Sequence, residues 1–147
     1  MNIRLTAAVI AITAATTVFA HQGATGIAKE RMDAMSTIAA NLKSVNQMLR
    51  GTMPFDEATV RASMDYIATQ ASMLPHKFPE GSDAAPSEAG PAIWTDAEGF
   101  NAIFKELETS ASDLAALAGD QDAVAAGFRN VAKTCKACHA NYRIDRD

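Results

Sequence analysis

From Ile27 onward, apolar positions fall in stripes. Ile27, Arg31, Met35, Ile38, Leu42, Val45 and Leu49 recur at steps of three and four, the spacing that lines up one face of a helix. The pattern predicts a helix over about 27–50, stopped by Gly51. Asp56 is placed to cap a second helix over about 57–73. On it Val60, Met64, Ile67, Ala71 and Leu74 repeat until Pro75 ends the run. A third helix starts near Ile93 or Thr95, with Phe100, Ile103, Phe104, Leu107, Ala111, Leu114 and Leu117 on its apolar side. Gly119 stops it, and Asp120 or Asp122 caps a fourth over about 121–143. The fourth stripe reads Val124, Phe128, Val131, Cys135, Cys138, His139 and Tyr142.

Residues 75–92 hold Pro75, Pro79, Pro86 and Pro91 with Gly81 and Gly90, so they form one long connection. A connection of that length in a small domain is predicted to cross the end of a bundle. No stretch alternates with the period of a strand. The prediction is an all-α fold, an antiparallel four-helix bundle with one long link between its second and third helices. Trp94, Phe100, Phe104, Phe128 and Tyr142 are expected as core and as pocket walls.

The chemistry sits on the fourth stripe. Cys135-Lys136-Ala137-Cys138-His139 is the Cys-x-x-Cys-His signature of c-type haem attachment. On a helix the three side chains share a face, so both thiols can meet the haem vinyls while His139 rises to the iron. A thioredoxin-type motif would follow a strand, and none is predicted. A disulfide within one turn would close too small a loop to constrain much. A zinc site needs four ligands, and the chain has no other cysteine, with only His21 and His76 as further histidines. Because the motif lies on the apolar stripe, the haem is expected to face the bundle core.

The 147 residues suit one domain. Residues 1–20 read as an export signal: Arg4, an uncharged apolar run from Leu5 to Phe19, then Val18-Phe19-Ala20. The run is short for a membrane anchor, so cleavage before His21 is expected, leaving 21–147 as the mature domain without a membrane span. The motif agrees, since covalent haem attachment implies a periplasmic protein. Net charge is −4, and −5 once Arg4 leaves with the signal. An acidic chain of this kind argues against nucleic acid as partner.

On these residues the chain resembles the class II c-type cytochromes, the cytochrome c′ family. The likeness rests on the motif near the C-terminus and its continuation Ala140-Asn141-Tyr142-Arg143. It also rests on Pro91-Ala92-Ile93-Trp94 and on the Arg31-x-x-x-Met35 spacing, and it covers residues 25–146. The resemblance implies one haem c per chain, held by thioethers to Cys135 and Cys138, with His139 as proximal ligand. It places Met35 over the distal face. There the family divides: in some members a Met thioether binds the iron, and in others the residue is only a plug. The expectation is that Met35 ligates, which makes the protein an electron carrier. The alternative is a five-coordinate haem that binds nitric oxide or carbon monoxide. Met32, one turn earlier, is a weaker rival, and core packing alone would also account for Met35.

Arg31 is implied to pair with a haem propionate; otherwise it is a solvated helix residue. Lys133, Lys136, Arg143 and Arg146 form a basic rim, either solubilising or docking acidic redox partners. Peroxidase-type catalysis would need a distal acid/base group, which the first helix does not offer, so no enzyme is expected. The resemblance also raises a homodimer through the first two helices.

Overall fold

A computed structural model describes residues 23–144. The helices are α1 (Gly26–Leu49), α2 (Glu57–Met73), α3 (Ala92–Thr95), α4 (Ala97–Ala116) and α5 (Gln121–Tyr142), with a 3₁₀ turn over Leu74–Lys77. The four long ones form the expected bundle. The expected signal at 1–20, and His21 and Arg146, lie outside the described residues. Among the described residues no helix is long and apolar enough to cross a membrane.

Each end is built as its local sequence dictates. At the end of α1, Gly51 takes φ +70. Its N–H reaches Met48 O and that of Thr52 reaches Gln47 O, both at 3.0 Å. This is a Schellman closure, which asks for a residue free to adopt positive φ. Asp56 accepts from Thr59 N at 2.7 Å. Asp120, not Asp122, caps α5, accepting from Asp122 N and Ala123 N, each at 3.0 Å.

The third helix departs from its prediction. It is broken at Asp96, which has φ −132 and ψ 56 and caps α4 through Gly99 N at 3.2 Å. The apolar stripe runs through the break, because α3 still buries Ile93 against the same core.

The core runs the length of the bundle. Val45, Val60, Met64, Ile67, Leu114, Val124 and Val131 are its largest fully buried side chains, each stabilising the fold by roughly 1.5–3 kcal/mol. They come from α1, α2, α4 and α5. Packing is uneven: α2 lies closely along α4, α4 along α5, and α1 along α2 and the 3₁₀ turn. The remaining side, between α1 and α5, holds a cavity.

Candidate functional site

The cavity is about 390 Å³, within the range of cofactor-sized sites. One wall is the end of α5, with Cys138, His139 and Tyr142. The opposite wall is the first half of α1: Ala28, Arg31, Met32, Met35, Ser36 and Ala39. Phe78, Phe100 and Phe104 close the inner end. Their rings meet edge to face, Phe100 standing 5.0 Å from both Phe78 and Phe104 and 5.3 Å from Tyr142.

The structure therefore brings Cys138, His139, Met35 and Arg31 to one cavity. Cys135 lies one turn before Cys138, half-buried against the core. Burial pushes the Cys135 thiol up from its usual range. The Cys138 thiol is pushed up to about 11, by burial first and by its neighbour Cys135 second. His139 sits at the edge of the stripe and is more exposed than the cysteines. Burial pushes its pKa down, as does Arg143, with Glu88 opposing. The neutral imidazole is the form that binds a metal, and the downward shift favours it.

Arg31 is buried, 4% exposed, rather than solvated. Its Nη1 donates to Ser82 Oγ at 3.3 Å and its Nη2 to Ser87 Oγ at 3.2 Å and to Ser82 O. The guanidinium stands over Phe78, 4.6 Å from the ring centre. Desolvation lowers its pKa, partly offset by Asp83.

The long connection is fastened at both ends. Arg31 holds it to α1. At α5, Gly90 N donates to Tyr142 O at 2.8 Å and Ile144 N to Glu88 O at 3.0 Å. Arg143 adds an ion pair to Glu88 at 2.6 Å. The predicted crossing of the bundle end is thus a strap over the cavity mouth.

Phe78, Ser82, Ser87 and Glu88 are site residues that sequence reasoning missed. They lie in an aperiodic segment, and only the buried cation at Arg31, which needs acceptors, could have pointed to them. Of the aromatics expected as core and pocket walls, Trp94 and Phe128 pack half-buried against the core and do not line the cavity. Trp94 donates its Nε1–H to Phe78 O at 3.0 Å.

A helical bundle opened on one side, with Cys-x-x-Cys-His on the wall of the opening, defines a class II c-type cytochrome. The family model described as Cytochrome C′ matches residues 26–143, and the chain belongs to that family. Accordingly it carries one haem c, covalently bound. It is 36% identical over 122 residues to a cytochrome c-556 of Agrobacterium tumefaciens (strain B2A), covering 82% of this chain and 99% of the relative. A solved cytochrome c′ of Rhodopseudomonas palustris is similar in fold, with TM-score 0.78 and 28% identity, over 84% of this chain and all of that one. A nitric oxide complex of a cytochrome c prime variant from Alcaligenes xylosoxidans has TM-score 0.74 and 29% identity, over 82% of this chain and 94% of that one.

The residues present fit the group. The cavity walls are mostly apolar, the Cys138 thiol and the His139 imidazole stand on one wall, and the thioethers of Met32 and Met35 stand on the other.

Proposed function

We propose that this protein is a periplasmic electron carrier whose haem is axially held by His139 and Met35. The observation that carries the reading is the cavity, bounded by Cys138 and His139 on α5 and by Met35 on α1. Haem supplies a one-electron couple when bound. Cys135 and Cys138 tether it by thioethers. His139 gives a nitrogen ligand, its neutral form favoured by burial. Met35 gives a sulfur ligand, which raises the potential and fills the last axial position.

Arg31 spends three N–H bonds on the strap. A guanidinium has five such donors, and the others are left to pair with a propionate. The cavity face of α1 offers no histidine and no carboxylate for peroxidase-type acid/base catalysis. Residues 1–20 direct export, and 21–147 is the working domain. Negative redox partners dock on the outer face of α5, where Arg129, Lys133 and Lys136 stand exposed at helical spacing. Arg143, just past the end of α5, lines the cavity instead and is paired with Glu88. A homodimer through α1 and α2 remains part of the proposal.

The test is proton NMR of the ferrous holoprotein. An axial methionine methyl group lies over the macrocycle and is shifted far upfield. That resonance is expected in the wild type, lost from its wild-type position in Met35→Ala and retained in Met32→Ala. A wild type without it, binding carbon monoxide rapidly, would favour the second reading. That reading is a five-coordinate gas-binding haem, supported by the nitric oxide complex of the Alcaligenes relative.

A further inference from the structure

The cavity face of α1 carries two thioethers, not one. Its lining residues are Ala28, Arg31, Met32, Met35, Ser36 and Ala39. At about 100° per residue, these six positions span one side of the helix. The midline of that side falls between Met32 and Met35, roughly 30° from each. Neither sulfur is favoured by its angle. Both can turn toward whatever fills the space between α1 and α5.

The two differ in what restrains them. Met35 packs against the buried core, in the same cluster as Ile38 and Ile93. Met32 is half-buried and does not belong to that cluster. Its neighbours on the cavity face are small: Ala28 one turn before it and Ser36 one turn after. Met has three rotatable bonds in an unbranched chain, so a Met with small neighbours above and below can sweep a wide arc. The buried seam of α1 runs instead through Arg31, Ile38 and Val45.

We infer that Met32 is a reserve axial ligand: when the Met35 sulfur is lost, Met32 binds the iron in its place. The inference rests on the reading of Met35 as the native ligand. Loss of Met35 can arise by substitution, or by a peroxide that gives one oxygen to the sulfur and leaves as water, forming the sulfoxide. The consequence is a site that stays six-coordinate where a single methionine would leave it open.

The test uses covalently loaded holoprotein of the wild type, Met35→Ala, Met32→Ala and the double variant. The readouts are the ferrous methionine-methyl resonance and the rate of carbon monoxide binding. Met35→Ala is expected to lose the wild-type resonance and to gain a new one at a different upfield position. Carbon monoxide binding should stay slow in both single variants and become fast only in the double variant. If Met35→Ala alone shows no such resonance and binds carbon monoxide as fast as the double variant, Met32 is a wall residue and the inference fails. That outcome leaves Met35 intact as the native ligand. A wild type that lacks the resonance and binds fast defeats both. Loss of the wild-type resonance in Met32→Ala, but not in Met35→Ala, makes Met32 the native ligand and overturns both the Met35 assignment and the reserve role.

Discussion

At Gly99 two side chains, Asp96 and Tyr142, crowd the start of α4. Tyr142 donates its hydroxyl to Asp96 Oδ2 at 2.6 Å while Asp96 caps α4. A Cβ on Gly99 would lie 2.4 Å from Asp96 Oδ2 and 2.6 Å from the Tyr142 oxygen. Gly99→Ala should therefore break the bond and cost about 1–3 kcal/mol, the range for forced overpacking, read as a lowered Tm of the holoprotein. The same bond, helped by burial, pushes the Tyr142 phenol up to about 12 from its usual 10. A phenol raised on folding stabilises the fold fully below pH 10 and loses that contribution as pH climbs through 12. The Tm of the wild type should thus fall faster between pH 10 and 12 than that of Tyr142→Phe; parallel melting curves would show that the bond carries no stability. The cysteines give a second test at this scale. Cys135→Ala with Cys138→Ala removes both thiols of the chain, and intact mass should show protein without the haem increment.

Helix ends were legible because their signals are local. Gly51, Asp56 and Asp120 each act through a backbone group within a few residues, so the chain shows them without its partners. Asp120→Ala should cost about 1 kcal/mol, as caps generally do, seen in thermal or denaturant unfolding. The break at Asp96 was hidden because Ile93 keeps the apolar spacing of the stripe that follows. The strap was hidden for the opposite reason. Residues 75–92 have no period, and their contacts reach Arg31 and Arg143, more than fifty residues away. Met35 shows the middle case: spacing placed it on the inner side of α1, and the structure turns it from the buried seam toward the cavity. Spacing resolves a face of a helix but not which neighbour that face meets.

For the whole molecule, the open side between α1 and α5 and the uneven charge belong to one design. Residues 123–144 carry Arg129, Lys133, Lys136 and Arg143 with no Asp or Glu, in a chain whose net charge is −4. Arg129, Lys133 and Lys136 stand exposed on the back of the helix whose inner side bears Cys138 and His139, while Arg143 lines the cavity. Exchange with an anionic metal complex should outpace exchange with a cationic one at low salt. Lys133→Glu with Lys136→Glu should slow the anionic reaction by about tenfold. Raising ionic strength should erase the difference; rates indifferent to charge and salt would remove the docking role. All of this presumes an iron closed on both axial sides. The direct test is the optical spectrum of the purified ferric and ferrous holoprotein. A low-spin haem is expected in both states, with the weak long-wavelength band of sulfur-to-iron charge transfer in the ferric form. A high-spin, five-coordinate spectrum in the ferric and ferrous protein would contradict it.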